Sequence, residues 1–165
     1  MEDTHSQIYE RLMGRSIRFL SYRPRSQREL RDFLARTLKK SHTYADAAVI
    51  ANIVARMGEL GYLDDHKFAL WWLDQRQSFK PKGTRLVALE LLGKGVSREI
   101  VEEVVGKGTS DYIGAKAALK RKLSSFLSYT PDVQKKKAYE FLYRRGFDSP
   151  TISRVVDESF KKVLK

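Results

Sequence analysis

Apolar positions along this chain recur at the three-to-four-residue interval of an α-helix. Ile50, Ile53, Val54, Met57 and Leu60 fall on one helical face, and so do Ile152, Val155, Val156 and Phe160. Leu30, Phe33 and Leu34 make a shorter stripe, as do Ile100, Val101, Val104 and Val105. No segment sustains the strict alternation of a half-buried strand, so no sheet is expected. The breaks carry helix-end signals. Ser26 with Glu29 is a capping box, in which the serine accepts from a first-turn amide and the glutamate reaches back. Thr130-Pro131-Asp132 and Ser149-Pro150 set a cap residue before a proline, whose missing N–H costs nothing in a first turn. Gly58 and Gly61 sit near one helix end, and Gly95 and Gly146 follow two others, where positive φ closes a helix. The pattern predicts about nine helices, near 5–22, 26–39, 45–60, 65–79, 83–94, 97–107, 110–128, 131–145 and 149–163.

The helices group in threes. Leu91-Leu92-Gly93-Lys94-Gly95-Val96-Ser97 parallels Leu142-Tyr143-Arg144-Arg145-Gly146-Phe147-Asp148, 51 residues later. In each, a helix ends on a basic residue and glycine, an apolar residue follows, and a cap starts the next helix. Val101, Val104 and Val105 then match Ile152, Val155 and Val156, and the segment from Ser26 to Leu34 resembles that from Gly83 to Leu91 more loosely. The expected organisation is an all-α tandem repeat of three-helix modules over 1–63, 64–108 and 109–165. A module of about 50 residues is marginal alone. Stacked neighbours would support one another and form an elongated, curved array, better matched to a long partner than to a small-molecule pocket.

Composition narrows the classes. With 42% hydrophobic residues among 165, the chain has enough for a core, and with no cysteine it has neither disulfides nor thiolate metal sites. The longest apolar run, Phe68-Ala69-Leu70-Trp71-Trp72-Leu73, is far short of a membrane span, and the polar N-terminus has no signal-peptide pattern, so a cytoplasmic protein is expected. Net charge is +12, unevenly placed: +4 over 1–63, +1 over 64–109 and +7 over 110–165. An anionic partner is therefore expected, above all for the C-terminal third, and nucleic acid is the commonest.

Nothing in the sequence looks catalytic. Asp64 and Asp65 are adjacent, but successive carboxylates on a helix diverge by about 100° and do not readily share an ion, which argues against a metal-dependent nuclease. A helix cap is the better reading. His5, His42 and His66 lack a second ligand at metal spacing, and no phosphate loop or nucleophile elbow occurs. No cofactor is expected. Trp72 is expected to bury with Phe68, leaving Trp71 partly exposed. Two basic clusters stand out: Arg76, Lys80, Lys82 and Arg85 around the turn at Pro81 and Gly83, and Lys116, Lys120 and Arg121 with Lys135, Lys136 and Lys137. Tyr139 and Tyr143 add an aromatic edge to the second.

Gly61-Tyr62-Leu63-Asp64-Asp65, then Phe68-Ala69, Trp72 and Arg76, then Lys82-Gly83, Leu86, Glu90-Leu91 and Lys94-Gly95-Val96, resembles the signature of the RecX family. The resemblance implies tandem three-helix repeats and a non-enzymatic regulator of DNA repair, recombination and the SOS response. Such proteins lodge in the groove of the RecA nucleoprotein filament and limit its extension, ATP hydrolysis, strand exchange and promotion of LexA cleavage. They also bind single- and double-stranded DNA, and a monomer is expected. On this reading Tyr62, Leu63, Phe68, Trp72 and Leu86 belong to the core. Arg76, Lys82, Arg85 and Lys94 are contact residues, joined by Lys80, Lys116, Lys120, Arg121, Lys135, Lys136, Lys137, Arg144 and Arg145. The alternative is a sequence-tolerant helix-turn-helix-like DNA-binding protein that acts without RecA.

Overall fold

The computed structural model describes residues 2–40, 47–106 and 110–161, with the side chains of 2–5 excepted. His42, the expected helix start at 45, the module boundary at 108 and the expected helix end at 163 lie outside the described residues, as does the His5 side chain. Among the described residues the chain is all-α, with no strand. Its helices are α1 (Glu2–Ser21), α2 (Gln27–Lys40), α3 (Ala47–Glu59), α4 (Asp65–Ser78), α5 (Thr84–Gly93), α6 (Arg98–Gly106), α7 (Asp111–Lys120), α8 (Pro131–Arg144) and α9 (Ser149–Lys161). Packing divides them into two compact units, one of residues 1–71 with 92–100, the other of 72–91 with 101–165.

In the first unit, α1, α2 and α3 pack against one another. Their apolar stripes converge, so that Leu12, Leu30, Leu34, Ile53 and Met57 are wholly buried. In the second unit α7, α8 and α9 do the same around Leu119, Leu142, Phe147 and Ile152. The segment expected as one helix over 110–128 instead leaves α-geometry after Lys120, and a 3₁₀ turn follows at Leu123–Phe126. Ser124 and Ser125 compete for backbone groups there; the Ser125 hydroxyl donates to the Lys122 carbonyl at 2.7 Å. The tighter turn seats Phe126 edge-on to Phe141, ring centroids 6.2 Å apart.

The helix starts show a scheme that recurs along the chain. Ser26 caps α2 as expected: the Glu29 amide donates to its Oγ at 3.1 Å and its own amide donates to Glu29 Oε2 at 3.4 Å. The first amide of the helix, on Gln27, is met from further along the chain by Asp65 Oδ1 at 2.9 Å, and Ser26 Oγ donates to the Lys94 carbonyl at 2.7 Å. At the start of α5 the same positions recur. The Thr84 amide donates to Asp111 Oδ1 at 3.0 Å, and the Gly83 amide donates to the Arg145 carbonyl at 2.8 Å. In both joints the acid is the first residue of the next triplet of helices, and the carbonyl precedes a glycine with positive φ: Gly95 at 82° and Gly146 at 83°. Burial pushes both carboxyls above the usual aspartate range, Asp65 and Asp111 alike, against the opposing pull of the amides they accept from. Helix α8 differs, because proline at its first position has no amide to satisfy.

The adjacent acids supply a helix cap as expected: Asp64 caps α4, accepting from the Lys67 amide at 2.9 Å. Other local expectations need correction. Thr130 makes no side-chain cap on α8; Gln134 Nε2 holds that turn by donating to the Tyr129 carbonyl at 2.7 Å. Asp148 rather than Ser149 caps α9, accepting from the Thr151 amide at 2.7 Å. Leu63 and Phe68 are core residues, but Tyr62 is 53% exposed and Trp72 and Leu86 are only half-buried. Phe68 meets Trp71, three residues on, with centroids 6.0 Å apart. The indole N–H of Trp72 has its acceptor on Glu90, at 2.9 Å.

Gly83 is the tightest point of the second joint. A Cβ there would sit 2.1 Å from the Gly146 carbonyl oxygen and 2.5 Å from the Phe147 nitrogen, both backbone. Gly83→Ala should therefore cost about 3 kcal/mol or more, lowering the thermal midpoint by roughly 6–12 °C. Gly14→Ala, in the exposed middle of α1 with nothing within 4 Å of the new methyl, should raise stability by about 0.5–1 kcal/mol. Circular-dichroism melts of the two variants test both signs.

Candidate partner-binding surface

Each cation of the basic clusters faces one of two fates, set by whether a carboxylate lies within reach. Around Glu90 on α5, three donors converge. Trp72 Nε1 donates at 2.9 Å and Arg76 Nε at 2.7 Å, both to Oε2, while Lys82 Nζ binds Oε1. The Arg76 guanidinium also lies over the Trp72 ring, 4.3 Å from its centroid. Burial alone would raise the Glu90 carboxyl, but the hydrogen bonds from Lys82, Arg76 and Trp72 outweigh it and hold the group below the usual carboxylate range. In the other unit Glu29 plays the same part. Lys94 Nζ donates to it at 2.7 Å and Arg23 Nη2 at 3.0 Å. Burial again raises this carboxyl and the two cations more than reverse the effect. Arg76, Lys82 and Lys94, all contact candidates from the sequence, thus sit in ion pairs that brace helices.

The remaining candidates divide further. Lys116 lies 3.9 Å from Glu158 and 5.3 Å from the centre of the Tyr112 ring. Lys135 pairs with Asp157 at 3.2 Å, and Lys137 lies over the Tyr129 ring at 4.5 Å. Lys136 stands exposed between them, so the three lysines do not share one site. Tyr139 and Tyr143 stack with centroids 6.4 Å apart. Arg85, Lys120 and Arg144 are exposed and have no carboxylate partner among the described residues.

Lys80 and Arg121, one from each sequence cluster, come together with Arg145 in a recess of about 420 Å³ in the second unit. Arg121 spans the end of α4, donating to the Phe79 carbonyl at 2.8 Å and the Ser78 carbonyl at 3.3 Å, where a cation complements the helix terminus. Arg145 donates to the Pro81 carbonyl at 3.1 Å and lies 4.6 Å from the centre of the Phe141 ring. Neither arginine has a carboxylate partner among the described residues. Pro81, Ala118, Lys122, Phe79 and Phe141 complete the lining, and the last three were not legible as site residues. Phe79 is 68% exposed, a signal visible only once the chain turns back on itself at Pro81. A recess of uncancelled cations with aromatic walls suits phosphate or carboxylate groups on a polymer. Among the described residues no group of three or more metal-ligating side chains occurs, and no helix is long and apolar enough to cross a membrane.

The class defined by these features is a tandem repeat of small three-helix domains. Comparison with known proteins places that class in a family. Residues 64–105 match the family model described as RecX, second three-helix domain, and 114–156 match RecX, third three-helix domain. The chain is 33% identical over 146 residues to a "Regulatory protein RecX" of Chlorobium phaeobacteroides, covering 88% of this chain and 91% of that one. It is 34% identical over 146 residues to the protein of the same description in Prosthecochloris aestuarii, with the same coverage. The crystal structure of RecX from Lactobacillus salivarius superposes with a TM-score of 0.77 at 19% identity, covering 93% of this chain and 97% of that one. The chain belongs to the RecX family of regulatory proteins.

The Glu90 cluster has a pH signature. A carboxyl depressed in the folded state contributes stability that is complete above its unfolded value, about 4.3, and lost as pH falls through the lower folded value. Glu90→Gln should cost about 1.5–3 kcal/mol near neutrality. The gap between wild type and variant should close progressively below about pH 4. Denaturant titrations from neutral to acidic pH check this; a gap independent of pH would mean that the charge on Glu90 is not what the cluster uses.

Proposed function

We propose that this protein is a non-enzymatic regulator that binds the RecA nucleoprotein filament and DNA, and so restrains RecA-dependent ATP hydrolysis, strand exchange and LexA cleavage in the cytoplasm. The observation that carries this reading is the set of cations in the second unit that have no carboxylate partner among the described residues: Lys80, Lys122 and Arg121 at the recess, and the exposed Arg85, Lys120 and Arg144. Their charge is available to an outside anion, whereas Arg76, Lys82 and Lys94 are committed within the fold. Membership of a family of regulatory proteins supports the same reading. A filament of protein on nucleic acid offers both phosphate and acidic side chains.

The mechanism is occupancy. A monomer of three-helix modules, over 1–63, 64–108 and 109–165, that occupies the filament groove excludes whatever else must enter there. It also biases the filament toward the subunit arrangement it binds best, in proportion to its differential affinity for that arrangement. No bond is made or broken, so no catalytic group is required.

The test separates contact from scaffold. Lys80→Glu with Arg85→Glu removes two uncommitted cations and should raise the concentration needed to inhibit RecA ATPase on single-stranded DNA by about tenfold, while the melt shifts by no more than the equivalent of about 0.5 kcal/mol. Undiminished inhibition would move the contact surface elsewhere. Wild-type protein that leaves RecA turnover untouched at saturation, yet still binds duplex, would favour a DNA-binding protein that acts alone.

A further inference from the structure

We propose that the first helix triplet carries its own binding site for single-stranded nucleic acid, in a trough between α1 and α2. Arg11, Arg15 and Arg18 follow one another at intervals of four and three residues along α1, which puts them on one helical face. Arg36 and Lys40 hold the same relation on α2. The two rows meet in adjoining recesses of about 460 and 540 Å³ that share Arg15 and Phe33, so they form one continuous depression within the first unit. Among the described residues no acidic side chain lines either part. Arg15, Arg18 and Lys40 have no carboxylate partner among the described residues, and Arg36 donates only to the Asp32 carbonyl.

The apolar component decides the class of ligand. Phe19 and Phe33 stack face to face with centroids 4.2 Å apart and planes 3° from parallel, and Phe33 lines both recesses. The Arg25 guanidinium lies 4.1 Å from the centre of the Phe19 ring. At the end of the trough Tyr22 is 77% exposed, the most solvated large apolar side chain described. Gly14 keeps the wall low, with nothing within 4 Å of where a Cβ would be. An acidic protein surface would need the arginines but not an aromatic ring held out in water. A duplex presents no unpaired base face. A single strand uses both, with guanidinium groups on the phosphates and an aromatic ring under a base. This site is on a different triplet from the surface assigned above, and each stands or falls without the other.

The experiment is fluorescence anisotropy of a labelled oligothymidylate with the full-length protein across a salt series. Arg15→Gln with Arg18→Gln should flatten the dependence of log K on log salt by about 1.4, the loss of two single-strand phosphate contacts. Tyr22→Ala should weaken binding about tenfold with the slope unchanged, and Tyr22→Phe should restore it. All three residues are exposed, and circular dichroism confirms that each variant is folded. A slope unaltered in the arginine variant, a Tyr22→Ala protein that binds as wild type, or a wild type that holds no oligonucleotide at low salt would overturn the proposal. RecA ATPase inhibition, measured on the same proteins, separates the two readings. Groove effects without any restraint of RecA would sink the proposed function alone; restraint of RecA without groove effects would sink this site alone.

Discussion

Short helices leave a large share of their backbone amides and carbonyls at an end, and a buried end without partners costs more than a small core returns. This fold meets the constraint by exchange between successive helix triplets. The first amide of α2 is satisfied by Asp65, at the start of the next triplet, and the first amide of α5 by Asp111, at the start of the one after. Return bonds run to the carbonyls of Lys94 and Arg145. Each joint therefore fixes the register of two triplets through backbone groups, and the glycines at 83, 95 and 146 are the residues small enough to let those groups approach.

The same geometry sorts the positive charge. Glu29 and Glu90 are held ionised in partly buried positions by cations from elsewhere in the chain, and those cations are spent on the scaffold. With a net charge of +12 there are not enough carboxylates for all the rest. Part of the excess lines the recess around Arg121 and Arg145 and the trough between α1 and α2. A regulator that acts by contact needs such a division, since a charge already engaged inside the fold has little left to offer a partner.

Much of the fold was legible because its signals are local. The stripes from Ile50 to Met57 and from Ile152 to Phe160, the Ser26–Glu29 box, and the glycine turns at 95 and 146 all act within a few residues of themselves. What escaped was non-local. Nothing in the period of α4 says that Arg76 will meet Glu90, or that Lys94 will meet a glutamate 65 positions earlier. The two basic clusters drawn from the sequence were recombined: Lys80 parts from Arg76 and Lys82 to line one recess with Arg121, and Arg145, which belonged to neither cluster, joins them. Tyr62 was misplaced because an apolar residue in a signature reads as core, whereas its position just after the left-handed Gly61 turns it outward. The arginines of α1 carried a helical spacing that could have been noticed, but the uneven net charge drew attention to the other end of the chain.

Pro131 marks one further difference between the triplets. It occupies the position held by Gln27 in α2 and Thr84 in α5, each of which offers its amide to an aspartate from the following triplet. A pyrrolidine nitrogen has no hydrogen to offer, so α8 lacks the first amide through which its counterparts meet an aspartate. Where its counterparts are sockets, this helix is blank: the removal of a single hydrogen atom suffices to take one copy of a repeating interface out of circulation.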